Sequence, residues 1–301
     1  TGSTIGHVVT LTVTSSIGLM ALFAVDALNL FYISLLGQQE LAAAIGYAGT
    51  VMFFLISLSI GMAIATGATV AKALGAGNRD KARNLAGAAL FFVTVISCLT
   101  TFLFYPFLGE AAALLGAVGE TKDIAERFLS IVIPTMPLLG AGMALGGVLR
   151  AVGDAKRAMY VTLLGGFVSA VLDPLFIFGF DLGIDGQGLA TQLDGARGIL
   201  FVAAVDEGEV AGGAPIVRIE LVLKYHDLLA FPDMSHISEA LGPFWKIGFP
   251  SVLTQLATPV GNAYVTNAFS TYGDDAVAGW AVVGRLMPLA FGAIFALSGA
   301  V

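Results

Sequence analysis

The sequence predicts an all-α integral membrane protein, a polytopic helical bundle. Three observations predict it. Hydrophobic residues make up 57% of the 301 and charged residues only 12%, about half of the roughly 25% typical of a soluble domain. Apolar runs of span length recur along the chain. Lys and Arg gather in alternate connections between those runs. The same composition argues against a nucleic-acid partner, because the few basic residues form no patch. Cys98 stands alone in an apolar run, so no disulfide framework or cysteine metal site is expected, and it reads as a small packing residue.

A spanning helix needs about 20 mostly apolar residues. Such runs cover residues 8–36, 41–71, 85–108, 128–149 and 159–180, then 244–272 and 277–301. No short leader-type run precedes the first, which is therefore read as a span. Thr1 and Val301 both interrupt the pattern, and both ends are read as cut. Gly142 and Gly146 form a small-xxx-small pair suited to close helix approach.

Orientation follows from the basic residues. Lys72, Arg79, Lys81 and Arg83 flank the second connection, Arg150, Lys156 and Arg157 the fourth, and Lys224 and Lys246 the start of the run at 244. The opposite connections hold only Lys122 and Arg127, offset by Glu110, Glu120, Asp123 and Glu126. Nine against two places the N-terminus in the cytoplasm, and the expected location is the cell's inner (plasma) membrane, crossed many times.

Keeping that alternation requires a sixth span after Gly186. Residues 186–205 are just long enough if Asp194 and Arg197, on one helix face, neutralise each other. Asp206, Glu207, Glu209, Arg218 and Glu220 then crowd a stretch that reads as soluble sequence, with a strand-like run from Pro215. The anomalous segment 192–224 is either a genuine insertion or the product of a frameshift or splice.

An offset of 236 positions pairs Asp26 with Asn262, Ser34 with Ser270, Gly37 with Gly273 and Ala42 with Ala278. Internal repeats of this kind relate the halves of transporters. Residues 1–224 are therefore read as a six-helix N-terminal lobe, its sixth helix uncertain. Residues 225–301 are read as a linker and the first two helices of an incomplete second lobe. The intact protein is expected to be longer.

Asp26 lies ten residues before the end of its run, about 15 Å along a helix and near the bilayer midplane. Carboxylates at such depth are costly and usually serve an ion or substrate path. Asn29 shares its helix face. Asp173 lies seven residues before Phe180 and precedes Pro174, a step that also marks helix breaks. Ser169 sits one turn earlier, and Thr191 opens the next segment. These hard oxygen ligands suit a proton or a small hard cation. Burial and a like-charged neighbour each favour the protonated form of a carboxylic acid, so such a pair can load and release protons. Gln255, Asn262, Tyr264, Asn267 and Arg285 are further polar groups within the later spans. They serve as substrate-cavity candidates or as interhelical hydrogen bonds.

Several runs resemble one family. Val25-Asp26, with Gly37 and Leu41-Ala42-Ala43, looks like the first helix and turn of multidrug and toxin extrusion (MATE) transporters. Gly75-Ala76-Gly77-Asn78-Arg79 resembles their loop after the second helix, and Arg150-Ala151-Val152-Gly153-Asp154 their RAxGD loop. Leu172-Asp173-Pro174 resembles their LDP motif, and the GIDGQGLAT run ending at Thr191 the opening of their sixth helix. Five motifs in this order, over residues 20–191, make the chain similar to that family, and it is identified with the DinF-like branch.

The resemblance implies twelve helices in two six-helix lobes, of which about eight are present here. It implies no enzyme activity and no cofactor beyond the coupling ion. A monomer in membrane lipid would export bulky organic cations or drugs in exchange for protons or sodium. Asp26, Asp173 and Thr191 match the family's ion site, the place where sodium would sit. Ser169 departs from it, since many members carry Asn there, which favours proton over sodium. A lipid-linked oligosaccharide flippase of the same superfamily would need a basic cavity, for which only Arg285 is a candidate. An intramembrane aspartyl protease would need YD and GxGD contexts, where this chain has Val25-Asp26 and Leu172-Asp173-Pro174.

Overall fold

The computed structural model describes residues 4–35, 39–180, 185, 187–189 and 233–300. The segment 192–224, Thr191 and all of the sixth span but residues 187–189 therefore lie outside the described residues. Among the described residues every regular element is helical. These are α1 (Thr4–Ser34), α2 (Gln39–Gly75), α3 (Arg79–Phe104), α4 (Leu108–Leu114), α5 (Gly119–Val132), α6 (Met136–Ala151), α7 (Ala155–Pro174), α8 (Met234–Ser270) and α9 (Asp274–Ala300).

Two connecting 3₁₀ turns carry proline. Tyr105–Phe107 joins α3 to α4 around Pro106, and Ile133–Thr135 joins α5 to α6 around Pro134. The helices on either side run on through them. As a result, Arg79–Leu114 and Gly119–Ala151 are stretches of 36 and 33 residues, holding 18-residue windows of mean hydropathy 2.1 and 1.8. With Glu40–Gly75 they are the three described helices long and apolar enough, by length and composition, to cross a membrane. Helices α1, α7, α8 and α9 lie over the other expected spans.

The polar residues 109–127, expected as a loop, are largely helical. In α5, Thr121, Ile124, Ala125, Phe128, Leu129 and Val132 are buried, a helical i, i+3, i+4 stripe. Glu120, Asp123, Glu126 and Arg127 fall on the exposed face. The charges thus cover the outside of a packed helix instead of forming a loop.

The two polar motif loops end helices in the same way. Gly77 (φ 74°) and Gly153 (φ 88°) adopt the left-handed conformation that glycine takes without a Cβ penalty. The following amides turn back to bond carbonyls of the last turn, Asn78 N to Ala73 O at 3.1 Å and Asp154 N to Leu149 O at 3.0 Å. Asn78 then caps α3, its Oδ1 accepting from Lys81 N at 2.9 Å.

Helix α2 is the axis of the bundle. Its first half, with Ala44, Tyr47, Ala48 and Val51, packs against α4, α5, Ile177 and Val277. Its second half, with Met62, Ala65 and Val70, packs against α3, α6 and the start of α8, where the rings of Phe92 and Phe244 lie 5.3 Å apart. Backbones touch at two crossings. A Cβ at Gly147 would meet Ala63 O at 2.7 Å, and one at Gly61 would meet Val252 Cα at 2.7 Å. Among the described residues, a Cβ at Gly146 would meet only its own helix's Arg150. Gly147, rather than Gly146, is therefore where α6 meets the α2 backbone.

Past Pro174 the chain widens into a π turn, Leu175–Gly179, closed by Phe180 N to Leu175 O at 3.0 Å. The helix break expected at Asp173-Pro174 is thus a widening rather than an end. Single π turns of this type often occur at functional sites.

Candidate functional site

Two contacts fix how α1 and α7 lie together. A Cβ at Gly166 would sit 3.4 Å from Val25 Cγ2. Further along, the rings of Tyr32 and Phe178 lie 6.3 Å apart, edge to face. Both helices therefore run in the same direction. The stretch between the contacts holds Asp26 and Asn29 on α1 and Ser169 and Asp173 on α7. The structure thus brings four of the five expected ion-site residues to the adjoining stretch of one helix pair.

Their surroundings differ. Asp173 is 1% exposed and Ser169 is buried with it, as expected for residues one turn apart on an inward face. Asn29 Oδ1 is buried and accepts no hydrogen bond. Asp26 keeps 53% of its side chain exposed. Depth along a helix and burial within protein are separate quantities, and the carboxylate nearest mid-helix is the more open of the two. Its Oδ1 lies 3.8 Å from Arg285 Nη1, which donates to the Asp26 main-chain oxygen at 2.9 Å.

The other polar candidates divide. Asn262 is held between helices, its Nδ2 donating to Thr50 Oγ1 at 3.4 Å and its Oδ1 accepting from Trp280 Nε1 at 3.3 Å. Thr50 and Thr266 are buried and share a hydroxyl contact of 3.2 Å. Asn267 donates to Leu114 O at 3.0 Å. Both asparagines thus act as ties between α8 and its neighbours. Gln255 is half-buried, and Tyr264 is 78% exposed.

Sequence reasoning missed Thr50, Thr266 and Trp280, whose partners are distant in sequence. It also missed the 2.6 Å bond from Thr121 Oγ1 to Asp274 Oδ2, which ties α5 to the first turn of α9. The Arg285–Asp26 pairing does have a signal in the sequence, two opposite charges within apolar spans.

A cavity of about 620 Å³ lies elsewhere, where α3 and α8 begin, lined by Asn78, Lys81, Asn84, His236, Glu239 and Pro243. No expected ion-site residue lines it, so it is separate from the α1–α7 site. Among the described residues no three His, Cys, Asp or Glu side chains group to hold a metal ion.

Residues 8–175 match the MatE family model. The chain is 24% identical over 260 residues to the multidrug export protein MepA of Staphylococcus aureus, covering 86% of this chain and 54% of that protein. It thus spans about half the length of the curated relatives it matches. Among solved structures it superposes on a MOP superfamily transporter from Pyrococcus furiosus with a TM-score of 0.83 at 24% identity, covering 99% of this chain and 63% of the other. That transporter is described as having a binding pocket of reversed polarity. The Vibrio cholerae MATE transporter VcmN gives 0.82 at 25% identity, covering 99% and 64%.

Proposed function

The chain belongs to the MatE family, and on that premise we propose that it serves a secondary active multidrug antiporter, a transporter and not an enzyme. It exports organic, often cationic compounds in exchange for protons, with sodium as the alternative ion. One observation carries the reading: Asp26, Asn29, Ser169 and Asp173 fall on the adjoining stretch of α1 and α7. Asp26 is the exchange site, open enough to receive a ligand. Asp173, Ser169, Asn29 and Thr191 set its ion affinity. No cofactor is needed. The protein works as a monomer in the lipid of the inner (plasma) membrane, with two six-helix lobes and its N-terminus in the cytoplasm.

Exchange requires that ion and drug bind exclusively, directly or through helix movement. Protonating Asp26 removes a charge from α1, weakens its hold on a cationic drug and lets the helix repack. A proton returning to the cytoplasm resets the site.

The flippase reading is weaker on this geometry. Its one basic candidate, Arg285, is already engaged with Asp26. That leaves little positive charge for a phosphate-bearing lipid.

Proteoliposomes holding the full-length protein test the proposal. An imposed proton gradient should drive ethidium transport, and a sodium gradient alone should drive less. Absence of transport under both gradients refutes the antiporter. Topology has its own test: single cysteines at Asn78 and Asp154 should react in whole cells only with membrane-permeant reagents, and one at Gln38 with impermeant reagents too. The reverse pattern overturns the orientation.

A further inference from the structure

We propose that Arg285 is a tethered cation that holds α9 against α1, and that a cationic substrate must displace its charge from Asp26. This rests on the exchange role proposed for Asp26 and names the element that reports the site's occupancy.

Arg285 lies eleven residues into α9, about 16 Å along the helix axis, where a guanidinium in an apolar helix needs a partner. It is 17% exposed, and its Nη1 reaches α1 in two ways. At 2.9 Å it donates to the main-chain oxygen of Asp26, an acceptor that no side-chain change removes. At 3.8 Å it stands beside the carboxylate Oδ1, beyond the roughly 2.7–2.9 Å of a charge-assisted hydrogen bond. The guanidinium is therefore anchored on the backbone, with its charge next to the carboxylate but not locked onto it. With half its side chain exposed, Asp26 keeps a face open to a second cation.

The consequence is a competition. Among the described residues, the charged groups on the helices packed against α1 near this level are Arg285 on α9 and Asp173 on α7. When an organic cation occupies Asp26, Arg285 loses its counter-charge inside an apolar helix pair. The least costly response is to withdraw toward polar surroundings, which separates α9 from α1. Arg285 thus converts occupancy of Asp26 into helix separation, and in the empty protein it competes with the substrate.

The experiment uses the full-length protein in nanodiscs, with ethidium as probe. Spin labels at Leu35 and Asp275 report the α1–α9 distance. Arg285→Gln should bind ethidium about tenfold more tightly, the scale of removing one partly screened competing charge about 4 Å away. Its label distance should be longer than wild type and insensitive to ethidium, whereas the wild-type distance should lengthen on binding. Arg285→Lys keeps the charge on a shorter side chain that cannot hold both contacts as well, so it should shift both readouts the same way by less. It serves the test if Arg285→Gln does not fold. Unchanged or weaker ethidium binding in the Arg285 variants, or a wild-type label distance in them, overturns the tether. Asp26→Asn separates this from the reading beneath it. Unchanged ethidium affinity in Asp26→Asn overturns the exchange site and the competition with it. A loss in Asp26→Asn without a gain in Arg285→Gln overturns the competition alone.

Discussion

Asp26→Asn in the full-length protein is expected to insert and fold yet abolish coupled efflux. The amide imitates the protonated carboxyl in shape and charge, so the site is held in one state of its cycle. One proton exchanged for one monovalent cation moves no net charge, so a pH difference drives it: one pH unit contributes about 1.4 kcal/mol per proton, equivalent to roughly a tenfold drug gradient. Without coupling, that accumulation ratio should fall to about one. The substitution also leaves Arg285 without a counter-charge, although its 2.9 Å bond to the main-chain oxygen of residue 26 survives. Asp26→Asn combined with Arg285→Gln removes both charges together and serves as the folding control. It should insert at wild-type levels and still fail to couple. Near-normal, gradient-dependent efflux by Asp26→Asn in proteoliposomes would mean that coupling resides elsewhere in the protein.

The sequence and the structure agree best where local chemistry decides the outcome. Gly77-Asn78 and Gly153-Asp154 combine a residue free to take positive φ with polar neighbours, and both sit at helix ends. Long apolar runs form long helices for the same reason, since a helix satisfies its backbone within itself. Agreement weakens where the answer depends on a partner. The charges of residues 119–132 suggest a loop, although the apolar stripe from Ile124 to Val132 is visible at helical spacing. The π turn after Pro174 has the same composition as the helix it extends, so no residue announces it.

The site shows the same division. Asp26 and Asp173 stand out because carboxylates are rare in apolar runs, and that signal needs no structure. Which helices face each other does need one. Arg285 and Asp26 are separated by 259 positions, and Asn262 meets Thr50 across 212. Nothing in the local sequence of α8 distinguishes an asparagine that ties helices from one that lines a cavity. Burial is equally illegible, since Asp173 and Asp26 read alike yet differ from almost none to about half exposed.

Gly147 offers the sharpest test of the packing, because its neighbour Gly146 is an internal control. The Gly147 Cα faces the α2 backbone so closely that a Cβ would lie 2.7 Å from Ala63 O and 3.4 Å from Gly67 N. Those are main-chain atoms of a helix packed on several sides, so they cannot rotate away. Gly147→Ala must push α6 from α2, loosening the contacts of Ala65, Ala144 and Val148 in the same cluster. Overpacking of this kind costs about 1–3 kcal/mol, and Gly147→Leu should prevent the two helices from seating at all. At Gly146 an added methyl meets only the Arg150 guanidinium at 3.6 Å, the mobile end of a side chain. There the better helix propensity of alanine, worth up to about 1 kcal/mol, should leave stability unchanged or raised. Thermal unfolding of the full-length protein in detergent should therefore show Gly147→Ala melting several degrees lower, Gly146→Ala melting at or above wild type, and Gly147→Leu yielding little folded protein. Equal losses at both positions would mean that α6 presents a different face to α2.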